Sequence, residues 1–193
     1  MQRTLAEASV VIVTFGTAWV YEWALSEQNE RSFYFEQSGI SGEAGLIVAN
    51  CHKMPDSWFR RRRLSVEEIV AAWHPIIEAY PDKHWLFTVS PIRHVKDGLH
   101  ENQLSKATLL MAIDQMVHGK WTNGKLHYFP AYEIVLDELR DYRFYADDLV
   151  HPSSLAVAYI WERFVDTFCT PQTKNEIMLQ HKRWKAANHR PLH

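Results

Sequence analysis

Ser9-Val10-Val11-Ile12-Val13-Thr14-Phe15-Gly16 is the run from which the architecture follows. It is rich in β-branched residues, and no polar residue alternates with them. A run of this kind, ended by glycine, reads as a strand of a parallel sheet covered on both faces. Two further runs behave similarly. Trp85-Leu86-Phe87-Thr88-Val89-Ser90 is stopped by Pro91, and Leu126 to Phe129 forms a shorter third strand. Helix signals fall between and after them. Ser65-Val66-Glu67-Glu68 is a capping box that opens a helix reaching about Tyr80, and Pro75 inside it predicts a kink or break near His74. Asn102 to His118 reads as a helix with Leu104, Ala107, Leu110, Met111 and Met116 toward one side. Glu133 to Leu139 and Ser153 to Phe168 read as two more.

Strands alternating with helices are the grammar of a parallel α/β sheet. Short aromatic pieces between Trp19 and Asn50 interrupt that grammar and predict a small β excursion after the first strand. The domain is expected to span residues 1–170, with this excursion at about 19–50. Residues 171–193 form a polar, basic tail expected to be helical and exposed.

Composition narrows the class. The chain has 193 residues, 47% of them hydrophobic, enough for one sizeable core. Its 21 basic and 23 acidic residues give a net charge of -2, so no global nucleic-acid field is implied. Arg60 to Arg63 form a local basic run, expected as a solvated loop before the capping box. Two cysteines, Cys51 and Cys169, do not make a disulfide framework and suit a reduced, cytoplasmic protein. Ser9 to Leu25 imitates a signal peptide but is too short and interrupted to span a bilayer, so no membrane partner is expected.

In open α/β sheets, ligands gather at the carboxyl ends of the strands. The residues beyond those ends are Gly16-Thr17, Ser90 to His94 and Pro130 to His151. The last segment contains Asp147-Asp148-Leu149-Val150-His151-Pro152. A carboxylate three residues before a histidine can hold one ring nitrogen while the other faces a cleft as a base. That is the acid–histidine half of a serine-hydrolase triad. The bland alternative is an N-cap, with Asp148 or Ser153 opening the helix that follows. Gly16-Thr17 and Ser90 to His94 are expected to border the same cleft as His151.

Five stretches resemble the GSCFA-domain proteins, a group related to the SGNH (GDSL-like) hydrolases: Phe15 to Tyr21, Val48 to Lys53, Thr88 to His94, Asn102 to Lys106 and Tyr128 to His151. The resemblance implies a partial flavodoxin-like, SGNH-hydrolase-like three-layer sandwich with parallel strands. It further implies ester hydrolysis without a cofactor, Asp148 as the orienting acid and His151 as the general base. The substrate class would be a small-molecule ester or a carbohydrate O-ester. The Gly-Ser-Cys-Phe-Ala block that names the family, and carries its serine, is absent from these residues. By spacing, Val10 to Gly16 resembles the third strand of the superfamily sheet. The chain therefore reads as the C-terminal portion of a longer domain, inactive alone, with Val10 to Phe15 left as an exposed edge open to self-association. Alternatively, it is an inactive remnant or binding module that associates with another polypeptide.

Superfamily members often place an asparagine two residues beyond the glycine at the strand end, where this chain has Ala18. Backbone N–H groups near Thr17, the Thr17 hydroxyl or Asn50 are the substitutes for that oxyanion donor. Gly16, His52, Arg93 and His94 complete the oxyanion or substrate-side candidates. Ser105-Lys106 could be a Ser–Lys dyad, but polar surface or loop anchoring is the expected role. Ser90, which lacks a nucleophile elbow, reads as a turn former. Eleven histidines show no metal-ligand spacing, so no metal is expected.

Overall fold

In the computed structural model, residues 2–24, 45–49, 51, 53–119 and 124–188 are described. The chain divides into two compact units, Met1–Val89 with His94–Tyr128, and Ser90–Arg93 with Phe129–His193. The fold is mixed α/β. In the first unit a short helix α1 (Gln2–Glu7) leads into β1 (Val10–Phe15). After β2 (Trp19–Trp23), β3 (Ile47–Val48) and β4 (Phe59–Arg63) come α2 (Val66–Ala79), β5 (His84–Val89), α3 (Gly98–His118) and β6 (Leu126–Phe129). Strands β1, β5 and β6 form a sheet in the order β1-β5-β6, with β1 parallel to β5 from Val10↔His84 to Phe15↔Val89. The α/β reading thus holds, and strand and helix bounds lie within a few residues of expectation.

Burial centres on β5. Trp85, Leu86, Phe87 and Val89 are all buried. Phe15, Trp73, Trp85 and Phe87 form one aromatic cluster. The Trp73 ring meets Phe15 edge-on at 5.4 Å and Phe87 at 5.5 Å between centroids. Each such side chain contributes about 1.5–3 kcal/mol through removal from water. Helix α2 packs on α3, and α3 on β5.

Strand β1 lies at the sheet edge, as expected, but it is not covered on both faces: its burial alternates along the strand, with Val10 56% and Ile12 55% exposed. A β-branched run signals a strand, but it does not tell a covered face from an open one.

The β excursion is a three-stranded antiparallel sheet in the order β3-β2-β4, built from β2 (Trp19–Trp23), β3 (Ile47–Val48) and β4 (Phe59–Arg63). The basic run is therefore a strand, not a loop. Carboxylates accept its charges. Arg60 and Arg62 both bond the buried Glu22, Arg62 also bonds Glu68, and Arg61 pairs with Asp97. Arg61 also lies over the Trp19 ring, 4.4 Å from its centroid. Two guanidinium groups hold the Glu22 carboxyl below its usual range against the opposing effect of burial.

Helix α2 opens as expected. The Ser65 hydroxyl accepts from Glu68 N–H at 3.2 Å, and Glu68 accepts from Ser65 N–H at 2.8 Å. Pro75 does not interrupt it, because the helix runs unbroken to Ala79. Helix α3 is rotated from its expected phase. Its buried side carries Asn102, Ser105, Lys106, Leu109, Ala112, Ile113 and Met116, while Met111 is exposed.

In the second unit a turn of helix at Ala131–Glu133 continues as a π-helical segment, Ile134–Glu138. Then follow α4 (Ser154–Phe168) and α5 (Pro171–Ala187). Phe164 and Phe168 of α4 pack on Phe129 at 5.4 and 6.0 Å. The C-terminal segment is helical, and none of its described residues is buried. Cys51 and Cys169 are free thiols. No helix among the described residues is long and apolar enough to cross a membrane.

Candidate active site

The Asp148–His151 loop is a closed hairpin in the second unit. Tyr145 and Pro152 form an antiparallel bridge at its base. Ala146 N–H donates to His151 C=O at 2.8 Å, and Leu149 N–H to Ala146 C=O at 2.9 Å. Leu149 takes a left-handed conformation at the tip, with φ 56°, an uncommon one for a branched side chain. That conformation lets the chain reverse within the two residues, Leu149 and Val150, that separate acid and base.

Both oxygens of Asp148 are engaged. Oδ1 accepts from Val150 N–H and His151 N–H, each at 2.9 Å, and Oδ2 meets His151 Nδ1 at 2.5 Å. The backbone donors of His151 and Val150, followed by the imidazole, hold the Asp148 carboxyl down to about 2. It is ionised across the neutral range and acts only as an acceptor. The contact to Nδ1 then requires N–H on that nitrogen, which leaves Nε2 as the basic one in the neutral ring. Nε2 has no hydrogen-bond partner among the described residues, and the side chain is 58% exposed. Helix capping falls instead to Ser153, whose hydroxyl accepts from Ala156 N–H at 3.3 Å. Arg93, in the same unit, places its guanidinium 5.8 Å from the Tyr145 ring centroid. Ser90 is a turn former here, its hydroxyl accepting from Ile92 N–H at 3.3 Å.

Gly16, Thr17 and His94 lie in the first unit. A Cβ added to Gly16 would stand 3.6 Å from His94 Nε2. The turn after β1 is clamped from α3. Ala18 N–H donates to the Ser105 hydroxyl at 2.8 Å, the Thr17 and Ser105 hydroxyls bond at 3.0 Å, and Trp19 N–H donates to the Thr17 hydroxyl at 3.1 Å. Lys106 Nζ donates to Gly16 C=O at 2.6 Å. One helical turn earlier on the same face, Asn102 Oδ1 accepts from His94 N–H at 3.0 Å. Asn102, Ser105 and Lys106 stand at i, i+3 and i+4, so a single polar stripe of one helix ties down the loops beyond two strands. All three are buried, and burial pushes the Lys106 ammonium down to about 8.

This stripe was missed as a group by sequence reasoning. Of the two roles expected for Ser105 and Lys106, loop anchoring is the observed one and polar surface is not. Its signal was available: three polar residues at helical spacing, out of phase with the apolar ones. Asn50 and His52 lie outside the described residues. Among those described, no group of three or more His, Cys, Asp or Glu is placed to hold a metal ion.

No curated protein and no solved structure matches the chain. A family model, that of the GSCFA family, matches residues 1–164. That span takes in the polar stripe of α3 and the Asp148–His151 loop alike, and by it the chain belongs to the GSCFA family.

Proposed function

We propose that the domain to which this chain belongs is a serine esterase or acyl hydrolase, acting on a small-molecule or carbohydrate O-ester. The observation that carries this is the Asp148–His151 contact at 2.5 Å, with the opposite ring nitrogen open to a substrate. In the proposed mechanism, Nε2 of neutral His151 takes the proton of a serine hydroxyl as its oxygen attacks the ester carbonyl. The C–O bond to the leaving alcohol then breaks, and the imidazolium returns the proton to that oxygen. Water repeats the sequence on the acyl-enzyme. Asp148 fixes the tautomer and stabilises the imidazolium. By the family resemblance, the Gly16–Ala18 turn is assigned to the oxyanion side and Arg93 and His94 to the substrate side. No step requires a cofactor. The two free thiols suit a reducing, cytoplasmic setting.

The nucleophile is assigned to the block that names the family, since no Gly-Ser-Cys occurs in these 193 residues. Hydrolysis of p-nitrophenyl acetate tests this. The chain as given should not exceed its His151→Ala variant. A form extended by a preceding segment that carries the Gly-Ser-Cys block should show a His151-dependent rate. A His151-dependent rate from the chain alone would move the nucleophile to one of its own serines. No His151 dependence in the extended form would end the esterase reading.

A second reading, an associating module without activity of its own, is favoured by the open apolar face of β1 at Val10 and Ile12.

A further inference from the structure

Peptide geometry singles out one donor in the Gly16–Ala18 turn. The Gly16–Thr17 peptide is trans, like every peptide among the described residues, so the C=O of Gly16 and the N–H of Thr17 point in opposite directions from one peptide plane. Lys106 Nζ binds that C=O at 2.6 Å, so the Thr17 N–H points away from the ammonium. The next amide, Ala18 N–H, is engaged by the Ser105 hydroxyl at 2.8 Å. Thr17 N–H has no acceptor among the described residues. A cation bonded to a carbonyl also polarises its peptide and strengthens the N–H at the other end as a donor. The hydroxyls add to this. Thr17 and Ser105 each accept a backbone N–H, and one of their two hydroxyl hydrogens bridges the pair, which leaves the other for a ligand. Ser105 is the buried member and Thr17 the accessible one, so the remaining hydrogen belongs on Thr17.

We propose that Thr17, through its N–H and hydroxyl, binds the oxyanion or carboxylate of an acyl group, and that Ser105 and Lys106 are its positioning residues. Ser105 orients the hydroxyl and occupies the competing amide. Lys106 holds and polarises the Gly16–Thr17 peptide from behind. The proposal rests on the assignment of this turn to the oxyanion side, but not on His151 or on a nucleophile. His94 adjoins Gly16, and the Arg61–Asp97 and Arg63–Glu101 pairs lie between β4 and the start of α3. Those four side chains are mutually paired.

Acetate, the simplest acyl product, is the probe. Amide NMR of the whole chain, with His151→Ala introduced to separate binding from any hydrolysis, should show saturable shifts centred on Thr17. Lys106→Met should weaken binding roughly tenfold, as expected for loss of a charge-assisted donor. Ser105→Ala should weaken it less and free the Ala18 amide to respond. In the His94→Gln background, binding should fall as pH rises through about 8, where Lys106 loses its proton. That measurement needs no change at Lys106 and stands even where Lys106→Met fails to fold. Absence of a saturable shift at Thr17, or acetate affinity unchanged from pH 7 to above 9, would overturn the proposal. Binding at Thr17 without ester hydrolysis by the extended protein would count against the esterase reading alone.

Discussion

Asp148 reaches His151 twice, once through Oδ1 to its backbone N–H at 2.9 Å and once through Oδ2 to ring Nδ1 at 2.5 Å. A single carboxylate therefore fixes both the loop that carries the imidazole and the tautomer of the ring. Asp148→Asn separates the two functions. The amide oxygen can still accept the backbone N–H groups, but the negative charge beside Nδ1 is lost. The loop should persist, with Nε2–H rising at the expense of Nδ1–H. Imidazole nitrogen shifts at neutral pH check this, and an unchanged tautomer would remove Asp148 from the orienting role.

The same carboxylate sets a pH limit. Its folded-state pKa is depressed from 3.8 to about 2, so its stabilising contribution is complete above the unfolded value and is lost as pH falls through the folded one. The carboxyl carbon of Asp148 should therefore titrate with its midpoint near about 2 in carbon-13 NMR. A transition centred at the ordinary aspartate value would mean the loop contributes nothing to the ionised form.

Capping at α2 is a local test of the fold. Ser65→Ala removes the acceptor for Glu68 N–H and should cost about 1 kcal/mol in urea denaturation. Glu68 also bonds Arg62 at 2.6 Å, and chiefly for that reason its carboxyl lies at about 2. Its contribution is thus present above pH 4.5 and lost on acidification toward 2. Glu68→Gln should remove that pH dependence while sparing most of the cap.

How far the fold could be read in advance depended on what each residue was doing. The parallel strands, the capping box and the Asp148-x-x-His151 spacing are local patterns, and local sequence displays them. The phase of α3 did not emerge, because its buried side carries Asn102, Ser105 and Lys106, and a hydrophobic count places such residues outside. Their burial is intelligible only with what they clamp: Ser105 and Lys106 hold the Gly16–Ala18 turn, 87 to 90 positions away in sequence, and Asn102 holds the His94 amide. Arg60 to Arg63 were misread for a similar reason. Four consecutive arginines look solvated until the carboxylates of Glu22, Glu68, Asp97 and Glu101 are brought alongside. The open face of the edge strand β1 was missed because a β-branched run looks the same whether one face or both are covered.

That edge yields the last prediction. Val10 and Ile12 are more than half exposed on one face of β1, and among the described residues no strand pairs with its outer side. Open N–H and C=O groups beside exposed β-branched side chains make a site for strand addition by another chain. The protein as given should therefore associate at tens of micromolar in size-exclusion chromatography with light scattering. Ile12→Lys places a charge on the open face, where it can reach water without disturbing the Ile12↔Leu86 register. It should shift the population toward monomer with little loss of stability, since the side chain it replaces is not part of the core. A wild-type chain that elutes as a clean monomer at the same concentration would show that the edge is protected. The associating-module reading would then have no surface to rest on.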